Sequence, residues 1–288
     1  MASGAAAASP VPDERFAQPA GEDALRRKAA ALTAKGFTVE ILDDAGAARA
    51  HVRDLLPRGA AVFTSSSETL RLSGIEDDLN ASGRYTAVKP RIQSMDRATQ
   101  LDEIRVLISA PDVVVGSVAA VTETGSLVAG SATCSEIPMY GCGAAMRVWI
   151  AGAQKVVPDL DAALRRLEAY ALPLEDARAR AVYGQPTAAN EVLIVSGDHV
   201  PGRSIVLLLR QPIGYRSRGE PGQLASHTDR PGRSFCTRDN AGATGQRKRD
   251  GRQQPEQLGA PPTTRSSTSQ LLGEDAAHAA GASASRRS

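Results

Sequence analysis

Long apolar runs are missing from this chain. Nowhere does it approach the about 18 uninterrupted apolar residues that a membrane-spanning helix needs. The opening "MASGAAAASPVPDERFAQPAG" has no charged start leading into an apolar stretch, so no secretory signal is read there. Cysteine is scarce as well: Cys134, Cys142 and Cys236 form no Cys-x-x-Cys pair and match no metal-site spacing. That excludes a disulfide framework and a cluster-binding motif, and it points to a reduced, cytoplasmic setting. The four histidines, His51, His199, His227 and His278, do not group in sequence, so no metal site and no cofactor of the chain's own is expected. Walker-A, His-Glu-x-x-His and Gly-x-Ser-x-Gly motifs are all absent. "GCGAAM" precedes a strand where a dinucleotide fingerprint must follow one, which excludes a Rossmann loop.

Large apolar side chains are almost lacking from Arg216 onward, where only Leu224, Phe235, Leu258, Leu271 and Leu272 occur. Such a segment cannot offset its ordering entropy by burial, so a disordered tail over 216–288 is expected. It carries 12 Lys/Arg against 7 Asp/Glu, and thus the basic balance of the chain belongs to the tail. Its Arg247-Lys248-Arg249 run has no interleaved aromatic for base stacking, so no nucleic-acid partner is read from it. An Ala/Ser/Pro-rich leader over 1–20 is expected to be flexible, leaving 21–215 as the folded domain.

That middle section alternates helical and strand patterns. "GEDALRRKAAALTAKG" spaces Leu25, Ala29 and Leu32 for a helix stopped by Gly36. "FTVEILDD", "AGAARAHVRDLLPRG" and "AAVFTSSS" read as β-α-β, which implies parallel strands. Ser66 or Ser67 is placed to cap a short helix that Gly74 interrupts, and a polar stretch then runs to Pro90. "SMDRATQLDEIRVLISAP" is helical up to Pro111 and leads into one strand, "DVVVGSVAAV". "SLVAGS" and "RVWIAGA" are further strands. "PDLDAALRRLEAYAL" is an amphipathic helix with Leu160, Leu164, Leu167 and Tyr170 on one stripe. "NEVLIVSG" and "RSIVLLLR" read as a closing pair of strands. The expected fold class is α/β, a mostly parallel sheet with flanking helices.

Ligands of open α/β sheets sit beyond the carboxyl ends of the strands. Two polar loops occupy such ends. Ser65, Ser66, Ser67 and Thr69 offer hydroxyls and amides for an anion, the alternative being a helix cap alone. Thr122, Glu123, Thr124 and Gly125 follow an apolar run. There Glu123 is placed as a general base, a nucleophile or an acceptor for substrate hydroxyls, the alternative being an exposed turn. Gln154 and Lys155, between a strand and a helix, suit a bound anion or a solvated linker. Arg203 lies where a guanidinium fork can meet a carboxylate or phosphate.

The order of "SSSETL", "GSVAAVTETGSLV", "WIAGAQKVVPDLDAALRRLEAYALPLEDARARAVYG" and "NEVLIVSGDHVPGRSIVLLLRQPIGY" resembles the LUD-domain family, which includes lactate-utilisation protein C. The "GAQK-V-DLD" and "PLEDARA--YG" phrases resemble one bacterial subgroup. The resemblance implies a fold like that of sugar-phosphate isomerases and CoA transferases. It also implies a part in oxidising lactate to pyruvate alongside iron–sulfur partner subunits that hold the clusters. Onto this chain it carries Ser65, Ser66, Ser67, Thr69, Glu123, Gly125, Gln154 and Lys155. It departs at Ala119, where relatives carry His, at Ala132 to Glu136, and at Glu191. Two other functions are kept open: an acyl- or CoA-transferase-like enzyme using Glu123, and a non-catalytic module for a small anionic metabolite. The family ends near Tyr215, so the remainder reads as an added tail of the kind a shifted reading frame leaves.

Overall fold

The computed structural model describes residues 10–215. The leading segment carries a 3-10 turn at Glu14–Ala17. It is fastened by hydrogen bonds from Asp13 N to Ala169 O (2.8 Å) and from Ala20 N to Ala153 O (3.1 Å). The described part of the leader is therefore docked, where the sequence alone suggests a flexible segment.

Helix α1 (Glu22–Ala34) buries Leu25, Lys28 and Leu32 and gives way at Gly36 to β1 (Thr38–Leu42). Helix α2 (Ala45–Leu55) starts at Asp44, whose carboxylate accepts from Ala47 N, and leads to β2 (Ala61–Thr64). The pattern broken at Gly74 forms two short helices, α3 (Glu68–Ser73) and α4 (Ile75–Ala81), with Gly74 in the left-handed region between them. Ser67 caps α3 by position and makes no side-chain capping bond, so the loop is no capping box. After β3 (Thr86–Ala87), the stretch expected to be irregular forms α5 (Val88–Ser94). Pro90 is tolerated in its first turn because the N–H it lacks has no helical partner at that position.

Helix α6 (Leu101–Ser109) leads into β4 (Val113–Gly116), and here the expected single strand divides. Residues 120–122 form β5 (Ala120–Thr122) in a second sheet, followed by β6 (Leu127–Ser131). Both sides of the division are buried, which is why the apolar pattern runs through it unbroken. Next come β7 (Met146–Gly152), β8 (Val156–Val157), and a helical run comprising α7 (Leu160–Arg166), a wider π turn over Leu167–Ala171, and α8 (Leu172–Tyr183). Pro173 cannot donate to Ala169 O, and that carbonyl is the one taken by Asp13. The buried stripe is Ala162, Ala163, Arg166, Leu167 and Tyr170, rotated from the expected one, since Leu160 is exposed.

The last strands, β9 (Glu191–Val195) and β10 (Ser204–Leu209), are not a pair. β10 inserts between β1 and β7 in a six-stranded, wholly parallel sheet of order β1-β10-β7-β4-β2-β3. β9 instead lies at the edge of the four-stranded sheet β8-β5-β6-β9, antiparallel to β6. The α/β class with a parallel sheet and flanking helices thus holds. One face of the large sheet, with Phe63, Val114, Trp149 and Val206, packs with Leu25, Ile92, Ile104 and Leu127. The opposite face, with Val62, Val148, Ile150 and Leu207, packs with Val52, Leu70, Ile75 and Leu79. Burial on both faces is what makes its strands continuous apolar runs.

The β5–β6 turn rests on α1. Gly125 has φ +77°, and a Cβ there would stand 2.8 Å from Ala31 O. Gly125→Ala is expected to cost about 1–3 kcal/mol, read as a lower urea midpoint at unchanged slope.

Candidate functional site: a buried lysine at three strand ends

Three neighbouring parallel strands, β2, β4 and β7, end at one place. Beyond Thr64 comes Ser65, beyond Gly116 comes Ser117, and beyond Gly152 a 3-10 turn (Ala153–Lys155) delivers Gln154 and Lys155. Lys155 is only 7 % exposed. Its Nζ donates to Thr69 Oγ1 at 2.8 Å and to Ser117 Oγ at 2.6 Å. Those hydroxyls donate in turn to carbonyls, Ser117 to Ile150 O at 2.6 Å and Thr69 to Ile213 O at 3.4 Å. The Gln154 amide clamps the same segment, donating to Ile213 O at 2.7 Å and accepting from Ile213 N at 3.3 Å. Gly214, at φ +107°, lets the chain cross the cluster; a Cβ there would stand 2.6 Å from Thr69 Oγ1.

Arg166 lies beside this group, 2 % exposed. It donates to Gln154 O at 3.1 Å and to Ala119 O, and its guanidinium stands 5.0 Å from the Tyr170 ring centre. Among the described residues neither Lys155 nor Arg166 has a carboxylate partner. Burial accordingly pushes Arg166 down to about 10. Lys155 is pushed down to about 7, first by burial and then by the neighbouring Arg166 charge. Such an arrangement disfavours a proton on Lys155 until an anion arrives.

Ser65 is buried and bonded to the Tyr140 hydroxyl, which itself donates to Ser117 O at 3.4 Å. Ser66 is exposed and Ser67 half-buried. The structure therefore brings together Ser65, Thr69, Gln154 and Lys155 from the sequence candidates. It adds Ser117, Tyr140, Arg166 and Gly214, which sequence reasoning passed over.

The other loop sits elsewhere. Thr122, Glu123, Thr124 and Gly125 form the tip of the β5–β6 hairpin, with Thr122 Oγ1 and Thr124 Oγ1 2.9 Å apart. Glu123, half-exposed, accepts from the buried Lys28 at 2.8 Å, and that contact holds its carboxyl below the usual range. Glu136, one of the departures from relatives, is half-buried with Ser131 and Ser135 as hydrogen-bond donors, and desolvation pushes its carboxyl up.

Arg203 meets a carboxylate of the chain itself, that of Asp198. It donates twice to Asp198, at 2.7 and 2.9 Å, and Arg147 donates to the same carboxylate at 2.6 Å. This cluster surrounds the first residues of β7 and β10, at the end of the sheet opposite Lys155. The described residues contain no group of His, Cys, Asp and Glu able to hold a metal ion.

The LUD-domain family model matches residues 25–209. The chain belongs to the LUD-domain family. Its match covers all ten strands and the three strand ends that meet at Lys155. Among solved structures, this LUD-domain protein is similar to a DUF162 family protein from Deinococcus radiodurans at 12 % identity and a TM-score of 0.41, over 65 % of this chain and 96 % of that one. A search of curated proteins finds no match. Within the described residues of this LUD-domain protein, no helix is long and apolar enough to cross a membrane.

Proposed function

We propose that this LUD-domain protein serves lactate utilisation by binding a small hydroxy- or oxo-carboxylate at the strand ends around Lys155. The observation that carries the reading is a buried lysine whose hydrogen-bond partners are hydroxyls, at the carboxyl ends of three parallel strands, with a second buried cation, Arg166, alongside. A carboxylate entering there supplies the missing counter-charge, and Ser117 and Thr69 are placed to meet a hydroxyl or carbonyl oxygen. Family membership supports the lactate assignment; the subgroup phrases and the likeness to the sugar-phosphate isomerase and CoA-transferase fold belong to the same proposal. Lactate oxidation to pyruvate then needs an electron path, which we assign to iron–sulfur partner subunits. Residues 21–215 form the working unit in this reading, with 216–288, outside the described residues, as an appendage.

The test is a thermal-shift series with L-lactate, sugar phosphates and acyl-CoA. Ligand at 100 times its dissociation constant adds about 2.7 kcal/mol, and lactate is expected to give the shift. Because the carboxylate is met by the ammonium form, affinity should fall as pH rises through about 7, the value to which burial lowers Lys155. In the host, deletion of the gene should impair growth on lactate.

The Glu123 transferase alternative has less behind it, since that carboxylate is engaged by Lys28. Hydroxylamine treatment after exposure to acyl-CoA is expected to yield no Glu123 hydroxamate; recovery of one, lost in Glu123→Gln, would favour the alternative.

A further inference from the structure

The protons around Lys155 can be counted. Ser117 Oγ and Thr69 Oγ1 each own one hydrogen, and each is placed to give it to a backbone carbonyl, Ile150 O at 2.6 Å and Ile213 O at 3.4 Å. Both hydroxyls therefore meet Nζ as acceptors, at 2.6 and 2.8 Å. A neutral primary amine has two N–H bonds and one lone pair. These two acceptors use both N–H bonds and leave the lone pair uncommitted. An ammonium group would present a third N–H, for which the described residues supply no hydrogen-bond acceptor.

We propose that Lys155 is an imine-forming amine that condenses with the carbonyl carbon of a small 2-oxo acid held at these strand ends. This deepens the proposed function and rests on its reading of the strand ends at Lys155 as a hydroxy- or oxo-acid site. The Nζ lone pair forms a C–N bond as the carbonyl π bond breaks, and the oxygen takes up a proton from the amine. The resulting carbinolamine loses its hydroxyl with the remaining nitrogen proton as water, giving the imine. One amine and one carbonyl become one imine and one water, with no change in oxidation state. Taking up one proton from solvent, the imine nitrogen then carries a single N–H for Ser117 or Thr69.

Burial supports this chemistry by lowering Lys155 to about 7, so the reactive neutral amine is present near neutrality. Surface lysines, near about 10.4, remain ammonium there. The fixed charge of Arg166 beside it acts in the same direction.

The experiment exposes the full chain to pyruvate with cyanoborohydride between about pH 6 and 9 and maps the modified lysines by peptide mass spectrometry. The expected result is carboxyethylation of Lys155 at least about tenfold faster than of Lys35, rising through about pH 7. Thr69→Val and Ser117→Ala should lower that preference, and in Lys155→Met the label should vanish. L-Lactate binding is measured on the same preparation, because lactate has no carbonyl and cannot form the imine. Lactate binding without preferential labelling of Lys155 overturns the imine proposal and leaves the binding site standing. Absence of both overturns the two together.

Discussion

Lys155→Met should make the protein more stable while abolishing its ligand binding. In the unfolded chain a lysine titrates near 10.5, whereas burial lowers it to about 7 in the folded state. The unfolded state therefore binds the extra proton between these values, so stability rises with pH across that window. At pH 7 and below the full cost is present, on the order of 5 kcal/mol at 1.36 kcal/mol per unit. Methionine has similar volume and no charge to desolvate. It forfeits two hydrogen bonds of about 1 kcal/mol each. The hydroxyls of Thr69 and Ser117 still have Ile213 O and Ile150 O to donate to, so no buried donor is orphaned. A net gain of roughly 2–4 kcal/mol at pH 7 is expected, shrinking towards pH 10. Urea titrations of both proteins at the two pH values check it. A variant less stable than the parent at pH 7 would mean that Lys155 is held as a satisfied ammonium.

The opposite sign is expected at the other end of the sheet. Asp198→Asn should be the most damaging of the substitutions considered, because Arg147 is 2 % exposed and depends on that carboxylate. Burial alone would raise the Asp198 carboxyl. Hydrogen bonds from Arg203, Ser204, Val200 N–H and Arg147 more than reverse this and hold it well below the usual range. Its contribution is thus complete above the ordinary carboxylate value of 3.8 and is lost as pH falls below it. Removing one partner of a buried pair costs about 3–5 kcal/mol, a large part of the roughly 5–15 kcal/mol that holds a domain folded. Chemical denaturation of Asp198→Asn, beside Arg203→Met as a milder break at the half-exposed partner, checks the ordering. Equal small losses in both would show that the cluster is solvated.

Much of the architecture follows from periodicity. Gly36 and Gly74 stop helices where the pattern ends, and the β-branched runs become parallel strands. Sheet membership does not follow, since a strand buried on both faces carries no alternation to say which neighbours it has. Hence "DVVVGSVAAV" reads as one strand although it serves two sheets, and β10 gives no local sign that it enters the sheet between β1 and β7. The same blindness hid Ser117, a single hydroxyl inside an apolar run, although it stands directly beyond the last residue of β4. Thr69 and Lys155 were visible as polar residues beyond strands. Their contact spans 86 positions of sequence, and no spacing argument reaches that far. The conspicuous cluster at Thr122 to Gly125 owes its polarity to a hairpin turn docked on α1.

Calorimetric titration of L-lactate at pH 7 decides whether the strand ends at Lys155 take a small carboxylate. Run in two buffers of different ionisation enthalpy, the titration also reads protons. Binding is expected to bring net proton uptake, since the arriving anion raises a lysine lying near about 7, and Lys155→Met is expected not to bind. Equal lactate affinity in the parent and in Lys155→Met, with no proton uptake in either, would show that Lys155 does not meet the carboxylate.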